Sequence, residues 1–141
     1  MTQPLIEIGD QIDLQAQQII GDGLAAFNKH ATGYHDRRPL TVLIKDPHTG
    51  QTLGGITGRS AFGMAFLDLF HLPETLRGSG LGSRLLQAFE DEARRRGCRS
   101  AVLYTISFQA PGFYEKRGWM RFGEIPCEPQ GSSRVFLSKA L

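Results

Sequence analysis

A glycine-rich turn opening an amphipathic helix is the tightest constraint on this chain. Arg77-Gly78-Ser79-Gly80-Leu81-Gly82 runs directly into Ser83-Arg84-Leu85-Leu86, after an apolar run that closes at Pro73. The first N–H groups of a helix have no partners inside it, and the helix dipole draws negative charge to that end. Glycines let the chain turn tightly and bring those N–H groups close to an anion. Arg77 and Arg84 add charged donors, and Ser79 and Ser83 add hydroxyls. Alone, the turn reads equally as a phosphate cradle or as a bare turn with no ligand. Two nucleotide patterns are excluded. A Walker loop needs Lys and then Ser or Thr after its last glycine, where this chain has Ser83-Arg84. A dinucleotide fingerprint needs Gly or Ala at Ser83 and an acidic residue about 20 positions on, and Arg99–Leu103 has none.

The helix after the turn is the best-defined element, Leu81–Arg96. Leu81, Leu85, Phe89 and Ala93 recur at helical spacing with Leu86 beside them. Glu90–Arg94, Asp91–Arg95 and Glu92–Arg96 are acid-before-base pairs one turn apart, and Gly97 is the stop residue. The arginine run is thereby assigned to a solvated face. Upstream, the pattern predicts a strand at Leu5–Ile8 and a helix from Ile12 capped by Asp10, weakened at Gly21 and Gly23. Thr41–Lys45 and Thr52–Arg59 read as a hairpin around Asp46–Gly50. Ala61–Leu72 reads as a buried central strand. Downstream come a strand at Ala101–Ile106, a short helix from Pro111 to Gly118, and strands at Met120–Ile125 and Val135–Leu137. Strands and helices mix without strict alternation, so the class is α/β (α+β) with a mixed sheet. No linker or repeat breaks the chain, which reads as a single domain, residues 1–141.

At 141 residues the chain can bury a real core. A net charge of +2 with no basic, aromatic-interleaved stripe argues against nucleic acid. No apolar run approaches the roughly 20 residues that span a bilayer, and Met1–Asp10 lacks a basic leader, so a cytoplasmic location without membrane contact is expected. Cys98 and Cys127 lie far apart with no metal-ligand spacing, so they read as lone thiols and no metal site is expected. His30, His35 and His48 read as solvated.

Further along stands Gly112-Phe113-Tyr114-Glu115-Lys116-Arg117-Gly118-Trp119, which offers an ionisable hydroxyl at the start of a short helix. Here the residues reach a resemblance. Arg77-x-x-Gly80-x-Gly82 resembles the acyl-CoA signature of the GNAT superfamily of N-acetyltransferases, Gln/Arg-x-x-Gly-x-Gly/Ala. Ala110-Pro111-Gly112-Phe113-Tyr114 with Gly118-Trp119 is similar to its second signature, Ala-x-x-Phe-Tyr followed by Gly and an aromatic. The match covers residues 64–125 and is nearest to small bacterial members. It implies a mostly antiparallel sheet of six to seven strands flanked by helices, with two central parallel strands that splay apart.

The resemblance also implies the chemistry. Acetyl-CoA is the expected co-substrate. Its pyrophosphate would sit on Arg77, Gly78, Ser79, Gly80, Leu81, Gly82 and Ser83, and its pantetheine arm along Leu69, Phe70, His71 and Leu72. Ser107 stands where many members have Asn and would bond the cofactor amide. Tyr114 matches the family tyrosine that protonates the leaving thiolate, while Phe113 and Trp119 read as core. No Cys lies in either signature, so acetyl passes to a primary amine by direct attack in a ternary complex. For the base there are three readings. Asp68 is a carboxylate inside the apolar run Phe66–Leu72, where burial demands a partner or a cavity; it is either a base or substrate ligand, or a structural carboxylate. His71 is the rival, placed by strand alternation on the opposite face. A water relay is the third. The acceptor, a small-molecule or peptide amine, would lie by Phe27–Tyr34 and Pro126–Ser133. Family habit adds a homodimer. The opposing reading is an inactive GNAT-fold protein that binds acyl-CoA or regulates.

Overall fold

A computed structural model describes residues 2–141, which form two compact units, one ending at His35 and the other Asp36–Leu141. The first unit contains a single helix, α1 (Leu14–Thr32). Its cap is Asp13, not Asp10: the Asp13 carboxylate accepts from the Ala16 N–H at 2.9 Å, three residues on, where a capping side chain reaches. The helix runs unbroken through Gly21 and Gly23 and stops at Gly33, whose N–H donates to the Lys29 carbonyl at 2.7 Å. The expected strand at Leu5–Ile8 does not form; that segment joins no ladder among the described residues.

The second unit runs β1 (Arg38–Lys45), β2 (Thr52–Ala61), β3 (Met64–His71), a 3₁₀ turn (Glu74–Leu76), α2 (Leu81–Arg95), β4 (Ser100–Ile106), α3 (Pro111–Glu115), β5 (Met120–Cys127) and β6 (Ser132–Ala140). The strands form a six-stranded sheet in the order β1-β2-β3-β4-β6-β5. Among the described residues only β3 and β4 are parallel; every other pair is antiparallel. The mixed sheet is as expected, but several strand limits move. The hairpin turn Phe62-Gly63, with φ 49° and 77°, takes the front of the supposed central strand, which starts only at Met64. β6 runs well beyond Val135–Leu137 because its partners on both sides extend it, from Ser132 opposite Cys127 to Ala140 opposite Ser100. Pairing across a sheet sets strand length, and a short apolar window cannot report it.

The core lies between the sheet and α2. Leu40, Ile56, Ala65, Leu67, Ala101, Leu103, Val135 and Leu137 meet Leu85, Leu86, Phe89 and Ala93, all buried. Burying one such large apolar side chain is worth roughly 1.5–3 kcal/mol, so this stripe fixes α2 against β1 and β2. Its C-terminal end is tied back by the chain that follows. Gly97 donates to the Arg94 carbonyl and Cys98 to the Ala93 carbonyl, both at 2.9 Å. The arginine run is not wholly solvated. Arg96 is 11% exposed and donates to Glu92, to the Pro39 carbonyl at 3.0 Å and to Ser60 Oγ at 3.0 Å. Glu90 is buried too, with Lys139 Nζ at 2.7 Å and Trp119 Nε1 at 3.2 Å. Asp91 pairs with Arg94 rather than Arg95, which pairs with Glu92.

Candidate functional site

The parallel pair opens partway along. β3 and β4 are in register from Met64↔Ser100 to Leu67↔Leu103, then part, while β3 continues to His71 and β4 to Ile106. The break coincides with a bulge. Gly58 faces Leu67 and Thr57 faces Leu69, so Asp68 is the extra residue with no partner on β2. A bulge bends a strand and shifts its side-chain alternation by one. Leu67 lies opposite Gly58 and Phe70 opposite Ile56, so both face the core. Leu69 and His71 lie opposite Thr57 and Gly55, on the other face.

This corrects two expectations about β3. Asp68 is half exposed rather than buried, at 47% of its side chain, while the partner expected for it is present: its Oδ1 accepts from Arg59 Nη1 at 2.7 Å. Arg59 lies 4.4 Å over the Phe66 ring, on the same face. His71 is not opposite Asp68; the bulge returns it to the Asp68 face. Of the segment Leu69–Leu72, Leu69 and His71 are exposed, while Phe70 and Leu72 pack against the core.

Past β3 the chain turns through the 3₁₀ turn into the glycine-rich segment. Arg77 Nε donates to the Leu72 carbonyl at 2.8 Å, which closes the connection on itself. Gly78 and Gly80 have φ 85° and 81°, left-handed values that favour glycine, and a Cβ on either would project into open space. Gly80 caps α2 without a side-chain bond, and the first amide bonded back into the turn is that of Arg84, to the Gly80 carbonyl at 3.1 Å. The N–H groups of residues 78–83 find no acceptor among the described residues. Such a run of open N–H groups at a helix start fits a phosphate.

α3 meets the turn directly. A Cβ on Gly82 would lie 3.5 Å from the Phe113 ring and 3.8 Å from Leu72. Pro111 occupies the first turn of α3, where its missing N–H costs nothing. Tyr114 follows, 7% exposed, with Phe113, Trp119 and Phe70 set edge-on at centroid distances of 5.2, 6.0 and 6.4 Å. Phe70 links this aromatic cluster to the splayed part of β3. The Tyr114 hydroxyl makes no hydrogen bond among the described residues, and burial pushes its pKa up to about 12, so it is a phenol at neutral pH.

Ser107 lies at the open end of β4, bridged to β6. Its N–H donates to the Ser133 carbonyl at 2.8 Å and its Oγ accepts from the Ser133 N–H at 3.0 Å. Its hydroxyl hydrogen is left as a donor. Beside it, Glu128, Gln130 and Ser133, from the stretch expected near the acceptor, line a depression at the β5–β6 loop together with Glu124. Arg59, the Asp68 partner, and Arg117, which donates to Ser83 Oγ at 3.1 Å, were not visible as site residues, because long-range register alone brings them there.

Comparison with known proteins gives the family and the fold. The model of the acetyltransferase (GNAT) family matches residues 14–119. The chain is 34% identical over 132 residues to an acetyltransferase of Agrobacterium fabrum, covering 94% of this chain and 96% of that protein. It is 38% identical over 109 residues to a blasticidin-S acetyltransferase of Streptomyces morookaense, covering 75% and 80%. The crystal structure of a protein from Agrobacterium tumefaciens superposes with a TM-score of 0.86 at 32% identity, over 98% of this chain and 100% of that one.

Proposed function

Because the chain belongs to the GNAT acetyltransferase family, we propose that it transfers acetyl from acetyl-CoA to a primary amine by direct attack in a ternary complex. The observation that carries the reading is the run of open N–H groups at 78–83, set against the helix that holds Tyr114. The family match crosses both units, which supports treating residues 1–141 as one acetyltransferase domain.

In this reading the pyrophosphate sits on residues 77–83 and the pantetheine arm lies along residues 69–72, whose edge is freed where β3 leaves β4. The thioester then falls at the splay, where strand N–H groups can polarise its carbonyl. The amine nitrogen attacks that carbon; the C–N bond forms and the C–S bond breaks. Tyr114 gives its proton to the departing sulfur and regains one from solvent. The proton lost by the amine goes to Asp68, whose Oδ1 is held by Arg59 while Oδ2 stays free to accept. Ser107 keeps a hydroxyl hydrogen for the cofactor amide. With a blasticidin-S acetyltransferase among the relatives, a small-molecule amine is the favoured acceptor class.

The test is thiol release from acetyl-CoA with blasticidin S and a panel of small and peptide amines. Tyr114→Phe is expected to lower kcat by about 10²-fold or more with CoA affinity, by calorimetry, unchanged. Equal turnover removes Tyr114 from the mechanism. CoA binding with no thiol release for any amine favours the non-catalytic acyl-CoA binder instead.

A further inference from the structure

Arg117 touches both halves of the proposed site. Its Nε donates to Ser83 Oγ at 3.1 Å, its Nη1 to the Phe113 carbonyl at 2.8 Å, and its guanidinium lies 3.9 Å over the Phe113 ring. Ser83 carries one of the open N–H groups of the turn, and Phe113 immediately precedes Tyr114. The backbone of Arg117 is itself fixed: its carbonyl accepts from Lys139 Nζ at 2.8 Å, and that ammonium also faces the buried Glu90 carboxylate at 2.7 Å. The guanidinium is thus a fork on an anchored base. A lysine cannot make both directional bonds and stack on the ring as well.

We propose that Arg117 is a positioning residue that couples occupancy of the 78–83 turn to the order of the Tyr114 helix. The inference rests on the reading of that turn as the CoA cradle. A hydroxyl can accept one hydrogen bond while donating another, so Ser83 can donate to a phosphate while holding Arg117. An anion on the turn then stiffens Ser83, Ser83 stiffens the Arg117 fork, and the fork stiffens the carbonyl next to Tyr114. α3 spans only Pro111–Glu115 and has no side-chain cap bond, so its order depends on such outside ties.

Amide hydrogen exchange reads this coupling directly and needs no acceptor amine. The informative amides are Phe113, Arg117 and Trp119, which donate to the carbonyls of Ala110, Tyr114 and Tyr114 at 3.1, 2.9 and 3.1 Å. Adding CoA to the unmodified protein is expected to slow their exchange about tenfold, the factor carried by one charge-assisted hydrogen bond. In Ser83→Ala and Arg117→Lys that protection is expected to vanish, while CoA affinity by calorimetry falls less than about tenfold, the share of one contact among many. Protection that persists in both variants overturns the coupling, as does its absence in the unmodified protein with CoA bound. Where Arg117→Lys does not fold, Ser83→Ala decides alone. An unmodified protein that fails to bind CoA overturns the cradle reading itself. Tyr114→Phe is expected to retain the protection, so failure of the acid assignment stays a separate result.

Discussion

The two ends of α2 are built to opposite plans. At the C-terminal end the chain folds back on the helix and ties it to the sheet: Gly97 and Cys98 donate to the Arg94 and Ala93 carbonyls, and Arg96 bridges to β1 and β2. At the N-terminal end the N–H groups of residues 78–83 have none, and the cap is a glycine with no side chain to offer. α1 shows that this chain can cap a helix when nothing else is asked of it, since Asp13 takes the Ala16 N–H. In the proposed function the open end of α2 is the place where the ligand does the capping. An unmet donor that costs stability in the empty protein becomes affinity when an anion arrives.

The largest effect is expected from giving α2 the cap it lacks. Gly80→Asp would supply a carboxylate to the amides two or three residues on. The left-handed backbone at 80 costs a non-glycine residue about 1–2 kcal/mol, and the new cap returns about 1 kcal/mol, so the protein should still fold. The carboxylate would face the pyrophosphate at close range, where two like charges about 4 Å apart at a near-surface dielectric repel by about 4 kcal/mol. CoA affinity by calorimetry should drop about 10³-fold. Undiminished affinity in a folded variant would take the turn out of the site.

That contrast was half legible in the sequence. The apolar stripe, the acid–base pairs and the flanking glycines placed α2 to within a residue, because helix signals are local. The turn and Tyr114 were legible as motifs for the same reason. The bulge at Asp68 was not, since it exists only in the pairing of Thr57 with Leu69 and Gly58 with Leu67. Missing it put His71 on the wrong face and buried a carboxylate that is in fact half exposed and paired with Arg59. Leu5–Ile8 failed in the opposite sense: its composition suits a strand, but a strand exists only with a partner. Arg96 failed because a charge run was read by its neighbours in sequence, and its partners lie on β1 and β2.

A matching change at the closed end should leave the ligand indifferent. Gly97 has φ 84° and open space where a Cβ would go, so Gly97→Ala pays only the backbone term, about 1–2 kcal/mol of stability. The urea midpoint should fall with no change in slope. CoA affinity should stay within about twofold, inside the scatter expected of a distant, independent site. A tenfold weaker complex would mean that the two ends communicate along the helix, and the contrast between them would fail.

The smallest effect concerns the charges of the closed end. Glu92 accepts first from Arg95 and then from Arg96, and these bonds hold its carboxyl down at about 2, against 4.5 for a free side chain. A carboxyl lowered by folding contributes stability that is complete above pH 4.5 and disappears as pH falls through 2. Glu92→Gln should therefore differ from the unmodified protein at pH 6 and converge with it toward pH 2, as followed by thermal unfolding. Arg95 is 67% exposed, so its share should fade in molar salt, whereas the Arg96 share, 11% exposed, should persist. On the proposed site CoA binding should carry the opposite signature, its charges meeting at the other end: its salt dependence should be the same in Glu92→Gln as in the unmodified protein. Salt would then act on stability through one end of α2 and on affinity through the other. A Glu92→Gln variant with a flattened salt dependence of CoA binding would show instead that the helix dipole joins them.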